Sequence, residues 1–373
     1  VIEGIFLAIL SIDAGLAVYF AAQLAHAASR DRPPKVLPKL AEVPSVSVCI
    51  PARNEKHAMV RCLEHVLASD YEKLEIIVFD DSSDDETSIL IRSFAHAGVR
   101  FVPGSQLPEG WLGKNHALDI LAQEASGSYV VFMDVDTLVE PTTLPRLMSY
   151  MASANKSMVS VIPERADVWR SSVLFGPLRY FWQLTFGAPL AAGSFWAIKR
   201  DTLLGLGGLE PHKDEVHAES HIAGLVGSGY QCLVDSGRLG ITYEKKWRSQ
   251  METSRRVLYP LAPGWRAVPA VLALAFLNVP VFVILTDGLT GWSYRAIYPA
   301  VILAVFMLLY AFYAHLVWRR NWWLGGLLWP VLILQEFGLF LWSMLGYARH
   351  TVKWKGRSVT ARVVQVNRIE IDK

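Results

Sequence analysis

The sequence predicts an α/β fold, a parallel sheet covered by helices, held between apolar helices long enough to cross a membrane. Three observations predict it. Between residues 45 and 136, short β-branched runs alternate with stretches of helical periodicity in the order β-α-β-α-β-α-β, an order that needs crossover connections and hence parallel strands. Apolar residues are 52% of the 373, and the excess lies outside this region rather than within it. Segments 268–285, 298–318 and 323–347 each approach the roughly 20 apolar residues that span a bilayer, and 5–24 does so despite Asp13.

The elements follow in order. Residues 1–27 are expected to be an N-terminal anchor, not a cleaved signal, because no basic leader precedes the apolar run. Residues 28–44 are basic and proline-rich and read as a linker; Arg30, Arg32, Lys35 and Lys39 just past the helix argue for the cytoplasmic side. A unit of soluble composition is expected over 45–250, divided near 140. SVSVCIP (45–51) is a strand, 52–69 a helix, LEIIVFDD (74–81) a strand, 83–98 a helix with Asp84 and Asp85 in its first turn, and VRFVPG (99–104) a strand. Residues 113–125 are a helix and SYVVFMDVD (128–136) a strand that carries Asp134 and Asp136 on one face. The segment 168–190 mixes aromatics with two arginines and reads as interfacial, with an ordinary buried helix pair as the plain alternative. Residues 251–350 hold three apolar segments, and 351–373 form a basic tail whose stretch 352–362 is β-like.

Charge and cysteine content exclude some functions. A net charge of +2 gives no footprint for nucleic acid. Cys49, Cys62 and Cys232 have no spacing that suggests a disulfide framework or a zinc site, and read as buried thiols.

Polar residues of one kind gather at one edge of the predicted sheet, where parallel α/β sheets bind ligands. The first strand ends in PARNE (51–55), the second in DDSSDD (80–85), and the fourth in DVD (134–136); GWLGKNHAL (110–118) precedes the fourth. Two carboxylates after so apolar a strand need a cation, a partner or water. Alone, they also read as solvated loop residues, and Lys114 as a surface lysine.

The ordered set PARNE, DDSSDDET, GWLGKNHAL, MDVD and GSFWAIKRDTLLGLGGLE resembles the membrane-bound family-2 glycosyltransferases over about 45–236. The tail's WKGR is similar to the segment that closes bacterial carotenoid-type enzymes, with hopanoid- and ceramide-type enzymes related to them. The resemblance implies the GT-A fold, a mixed and mostly parallel Rossmann-like sheet. It implies that Pro51, Glu55, Asp80, Asp81 and Lys114 hold a nucleotide-sugar, most simply a UDP-sugar. It implies that Asp136, helped by Asp134, binds Mg²⁺ or Mn²⁺ on the diphosphate. The family commonly places Glu-Asp on the acceptor-side helix; here Glu219–Ser220 stands there, so Glu219 is the expected general base, with Asp214, Glu215, His217 and His221 as rivals. The family's Gln-x-x-Arg-Trp motif is replaced by WRSQMETSRRVLYP (247–260), where Gln250, Arg255 and Arg256 take part of its work or, with Arg248, meet lipid headgroups.

The expected protein is therefore an inverting, metal-dependent enzyme of the cell membrane. Its catalytic domain is cytoplasmic, and it moves one sugar to a carotenoid-, hopanoid- or ceramide-like lipid. A processive polysaccharide synthase, and a membrane-anchored protein that binds nucleotide-sugar without turnover, are the alternatives. Glu336 inside the last apolar segment marks a functional position or a carboxylate bonded to Gln335 or Trp329. Three crossings after a cytoplasmic domain leave the basic tail outside, against the positive-inside trend, unless one segment is re-entrant or interfacial.

Overall fold

The computed structural model describes residues 2–40, 42–165, 170–185, 191–291, 294–318 and 320–359. In chain order the elements are α1 (Ile2–Arg30), β1 (Val46–Ala52), α2 (Met59–Leu67), β2 (Leu74–Asp80), α3 (Thr87–Ser93), β3 (Val99–Pro103), α4 (Gly113–Glu124) and β4 (Tyr129–Met133). Next come β5 (Thr137–Val139), α5 (Thr143–Ser153), β6 (Met158–Ile162), α6 (Ser171–Leu174), α7 (Arg179–Thr185), β7 (Phe195–Lys199), α8 (Arg200–Gly205), α9 (Ala218–Val226), β8 (Tyr230–Val234) and β9 (Ile241–Tyr243). The chain then runs through α10 (Trp247–Leu261), α11 (Ala267–Thr290), α12 (Ile297–Val317), α13 (Trp323–Ala348), β10 (Lys353–Trp354) and β11 (Arg357–Ser358).

Seven strands form one sheet in the order β3-β2-β1-β4-β7-β6-β8. β3, β2, β1 and β4 are mutually parallel; β7 is antiparallel to β4 and to β6, and β8 is parallel to β6. β1 and β4 are buried almost throughout because helices cover both faces, with α2 and α5 on one side and α4 and α9 on the other. The order reverses around β1, so the crevice beyond β1 and β4 is where a ligand fits.

Three expected boundaries move, each for a local reason. The helix expected over 52–69 begins at Met59, because Asn54 sits at φ +52 and breaks the helical path. Asn54 instead ties two loops: its N–H donates to Ser83 Oγ (2.9 Å), and its Oδ1 accepts from the Asp84 N–H (2.8 Å). The helix expected over 83–98 begins at Thr87, so Asp84 and Asp85 precede it, and Asp85 Oδ1 accepts the N–H of Thr87 (3.0 Å). The strand expected over 128–136 ends at Met133. Asp134 and Asp136 lie in a turn closed by the Thr137 N–H on Asp134 O (2.9 Å), so it is this turn rather than strand alternation that places them.

Among the described residues, four helices are long and apolar enough to cross a membrane, over 8–30, 264–290, 297–317 and 323–348. The expected segments 268–285, 298–318 and 323–347 lie within them or within a residue of their ends, 5–24 begins three residues before the first of them but inside α1, and Asp13 is buried on the inward side of α1. α12 and α13 meet at Gly325 and Gly326, where a methyl at Gly326 would lie 2.6 Å from Met307 O. Apolar helices have no hydrophobic drive to associate in lipid, so such close backbone approach is what holds them.

The linker is strapped down rather than loose: the Val234 N–H donates to Asp31 O (2.6 Å), Tyr71 OH to Pro44 O (2.7 Å), and Arg238 Nη1 to Pro33 O. Of the segment 168–190, residues 170–185 are described. They form α6 and α7, with Phe181 and Trp182 buried against Phe20, Tyr310 and Trp329 of the helix bundle. Glu336 is bonded to this segment, not to Gln335 or Trp329. It accepts from the Leu178 N–H (3.1 Å) and from Trp182 Nε1 (2.9 Å), while Gln335 donates to Phe175 O (3.1 Å). Residues 360–373, most of the expected tail, lie outside the described residues.

Candidate active site

The loops after β1, β2 and β4 and the hairpin β10–β11 close around one cavity. Pro51, Glu55, Asp81, Lys114 and Asp134 line it together with Trp354 and Lys355 of the hairpin. Lys355 and Gly356, at φ +48 and +84, make the tight turn that a two-residue hairpin requires.

The hairpin's cations meet the carboxylates assigned above to the nucleotide. Lys355 Nζ lies 2.8 Å from Glu55 Oε1, and Arg357 Nη1 donates to both oxygens of Asp81 (2.9 and 2.6 Å). Arg53 Nε donates to Lys355 O (3.2 Å), and its Nη1 to the carbonyls of Asp81 and Ser82. Burial pushes the Glu55 carboxyl up against the opposing pull of Lys355, and pushes Asp81 up against that of Arg357.

Asp80 is the exception among these residues. It is turned away from the cavity and accepts from Ser83 Oγ, Ser88 Oγ and the Ser83 N–H (3.3 Å), so it shapes the turn after β2 rather than facing a ligand. A doublet of aspartates after a strand does not reveal which one points outward.

The turn after β4 supplies two carboxylates, each beside a lysine. Lys114 Nζ donates to Asp134 Oδ1 (2.8 Å) and to Gly193 O (2.9 Å), and Lys245 Nζ lies 3.4 Å from Asp136 Oδ2. Burial works to raise the Asp134 carboxyl, yet Lys114, Lys245 and Arg256 outweigh it and hold it below its ordinary value. Asp134 opens on this cavity, while Asp136 opens on a neighbouring one that shares Glu55, Lys245 and Lys355 with it. Two carboxylates on one turn fit a hard divalent cation; Mg²⁺ and Mn²⁺ both take one or two carboxylates and complete their shell with phosphate oxygens.

A second chamber continues past Lys114 and Asp134 to Glu219, with His217, Arg179, Lys245 and Arg256 around it. A side chain at Gly193 would collide with the Glu219 carboxylate, so glycine there lets Glu219 reach the cavity floor. Ser220, which stands where the family has aspartate, is occupied structurally: its Oγ accepts the Ala191 N–H (2.9 Å). His217 bonds Val257 O through Nε2 (3.1 Å), which places its proton on that nitrogen, and burial lowers its pKa. Glu215 is drawn aside to His221 (2.6 Å) and His212 (3.5 Å); neither it nor Asp214 nor His221 lines this chamber.

Several residues here escaped sequence reasoning. Lys245 lies in a loop after the short strand β9. Arg179 is a cation inside an aromatic run, and that oddity was the available signal. Lys355 and Arg357 belong to a tail more than 200 residues from the loops they touch, as in the separations of 301 and 276 to Asn54 and Asp81. Of the arginines that stand for the family's motif, Arg256 enters the site, while Arg255 turns to Thr351 Oγ1 (2.7 Å) and to the Trp342 ring (4.8 Å). Gln250 donates to Ser172 O (2.6 Å) and Lys245 O (2.9 Å), so it braces the loop that carries Lys245.

Residues 47–203 match the family model described as glycosyl transferase family 2. The 4,4'-diaponeurosporenoate glycosyltransferase of Staphylococcus haemolyticus is 31% identical over 121 residues, 32% of this chain and 32% of that protein. The undecaprenyl-phosphate 4-deoxy-4-formamido-L-arabinose transferase of Pectobacterium carotovorum is 29% identical over 129 residues, 34% of this chain and 39% of that one. The chain thus spans between about a third and two fifths of the length of these curated relatives. Among solved structures, the mannosyltransferase PcManGT of Pyrobaculum calidifontis, in complex with GDP-Man and Mn²⁺, superposes with a TM-score of 0.58 at 19% identity, covering 93% of this chain and 98% of that one. That likeness is one of fold, and the fold is GT-A: a mixed, mostly parallel sheet with apolar helices on either side of it in the chain.

Proposed function

Since residues 47–203 match the model of glycosyl transferase family 2, we propose that the chain transfers one sugar from a nucleotide-sugar, a UDP-sugar in the simplest case, to a membrane lipid, with inversion at the anomeric carbon. One observation carries the reading. The cavity that holds Asp134 and Lys114 runs directly to Glu219, and its wall is α10, a helix packed on the apolar helix α13. Thr253 and Arg256 of α10 face the chamber, while Arg248 and Met251 face an open groove of about 530 Å³ shared with Gln335, Leu339 and Trp342. A lipid in that groove brings its polar end toward the base.

The chain's own residues supply most of the chemistry. Glu55 and Asp81, freed from Lys355 and Arg357 or sharing them, accept hydrogen bonds from the nucleoside. Glu219 takes the proton of the acceptor hydroxyl as that oxygen attacks the anomeric carbon, and the carbon's bond to the diphosphate breaks on the opposite side. Lys114, Lys245 and Arg256 meet the charge that develops on the leaving diphosphate. Held by Asp134 and Asp136, a divalent cation supplies further neutralisation of that diphosphate.

Both ends of α13 support one membrane placement. Its start follows α12, whose end meets the catalytic domain: the Arg165 N–H donates to Val317 O (2.7 Å), and Ser236 Oγ to Leu316 O (2.7 Å). Its end delivers the hairpin into the cavity. A helix with both ends at the domain lies along the membrane face, so α1, α11 and α12 cross and α13 does not. The domain, the basic turn at Arg320 and the tail then share the cytoplasmic side.

The test uses protein in detergent with a panel of UDP- and GDP-sugars, Mn²⁺ or Mg²⁺ and a total membrane lipid extract. A lipid that gains one hexose-sized mass, with nucleoside diphosphate released, and no product from D136A, is the expected result. Products that carry many sugars would indicate a processive synthase, and donor binding without release across the panel a protein that binds but does not transfer.

A further inference from the structure

Where the connection from α8 meets the first turn of α9, three side chains converge without satisfying one another. Glu215 Oε2 lies 2.6 Å from His221 Nε2 and 3.5 Å from His212 Nδ1. Despite those distances, Glu215 Oε2 and both ring nitrogens of His212 are buried without a hydrogen bond of acceptable geometry. The two imidazoles stack, with centroids 5.5 Å apart and 26° between planes, so their edges turn toward the same carboxylate. One ligand atom from each of the three lies within 4.8 Å of the others, a grouping unique to this place among the described residues.

An ordinary glutamate–histidine pair aims an N–H at the oxygen. Here the nitrogens surround it off-axis, and buried polar atoms without partners are costly. Metal ligands turn their lone pairs toward one point instead of donating to one another, and the three side chains have this pattern. The backbone is fixed for it: Asn115 Nδ2 of α4 donates to His212 O (2.8 Å) and Glu215 O (2.8 Å), so one buried amide sets two of the three ligands.

We propose that His212, Glu215 and His221 bind a zinc ion, with water as the fourth ligand. Two imidazoles and one carboxylate are nitrogen and oxygen donors suited to tetrahedral zinc. Zinc bonds of about 2.0–2.1 Å set ligand atoms about 3.3 Å apart, so the close pair opens slightly and the rest draw in by side-chain rotation. The side chain of His221 is 30% exposed, which leaves the water position on the solvent side. The ion would tie the turn at His212 to α9 and so fix the height of Glu219 on that helix. These residues position the base; they do not touch the reacting atoms.

The experiment reads zinc, not sugar transfer, so it stands apart from the proposed activity. Full-length protein in detergent is stripped with EDTA, reloaded with Zn²⁺ in excess Mg²⁺, desalted, and its zinc measured by mass spectrometry. Wild type and D136A are expected to keep about one zinc per chain, and E215Q and H221A to bind at least about tenfold more weakly. Amide exchange across 212–221 is expected to slow when zinc is present. Cobalt in place of zinc is expected to show the visible absorption of a tetrahedral site, which keeps the test decisive if either variant fails to fold. No retained zinc in wild type, equal retention in E215Q and H221A, loss in D136A, or no tetrahedral cobalt band would each overturn the site.

Discussion

Glu219 owes its expected role to where Gly193 leaves space. Replacing it by glutamine keeps shape and hydrogen bonding and removes only the basic oxygen. E219Q is expected to keep donor affinity and lose transfer by about 10²–10⁴-fold, the usual contribution of a positioned base; transfer near the wild-type rate would hand the role to His217. Glu75 tests a different property, the pH dependence of stability. Its carboxylate accepts from Ser47 Oγ (2.5 Å) and from the N–H and Oγ of Ser126 (both 2.9 Å). Burial works to raise its pKa, but these bonds and Arg100 outweigh it and the value is lowered. A lowered carboxyl contributes its stability in full above the ordinary glutamate value of about 4.3 and loses it as pH falls through the lowered value. E75Q should therefore melt below wild type at pH 7, by about 1–2 kcal/mol, and the gap should close in acid. A gap that persists in strong acid would show that the hydrogen bonds, not the charge, carry the effect.

The hairpin β10–β11 is the element on which the nucleotide cavity depends most. It is short and held by a tight turn, and its two cations sit on Glu55 and Asp81. Gly356→Ala places a side chain at φ +84 and costs about 1 kcal/mol or more. Donor affinity is expected to fall several-fold by titration calorimetry while far-ultraviolet circular dichroism stays unchanged. Unaltered affinity would mean that the hairpin only rests on the cavity. The same element shows what local reading misses. The tail was legible as basic and β-like, but its destination was not, because nothing in its own residues encodes which sheet edge it meets. The loops at 52–58 and 134–136 fail for the opposite reason: helical and strand periodicity continued through residues whose backbone is bent by Asn54 and by the turn at Asp134.

For the whole molecule, the helix bundle and the sheet act as one body because β6 and β8 contribute to both cores, Ile162 and Val234 to that of the bundle and Val161 and Leu233 to that of the sheet. The contact between α12 and α13 is the place to probe it. A valine at Gly326 has to displace the backbone at Met307 O, and such overpacking costs about 1–3 kcal/mol. G326V should lower the melting temperature in detergent and release hairpin and groove together, read as faster amide exchange in both; a variant that melts with wild type would mean the helices do not pack through these glycines. In the proposed membrane placement, the orientation of α13 also removes a conflict of charge. Three full crossings would have stranded the basic tail outside, whereas a helix that returns to the domain keeps Arg320 and the hairpin on the side of Arg30.

The order of strands and helices, the apolar helices and the polar strand ends were determined by local sequence, because periodicity, turn chemistry and runs of β-branched residues act over a few neighbours. Pro51, Glu55, Asp81, Lys114, Asp134 and Glu219 were legible for the same reason: each ends or begins an element whose position in the sheet follows from its order. Only the tertiary structure decided that Asp80 turns inward to Ser88, that Arg256 rather than Arg255 enters the site, that Glu336 is bound by Trp182, and that Lys355 and Arg357 close the cavity. Those outcomes depend on the direction of single side chains and on contacts across hundreds of residues, which packing selects and no window of sequence contains.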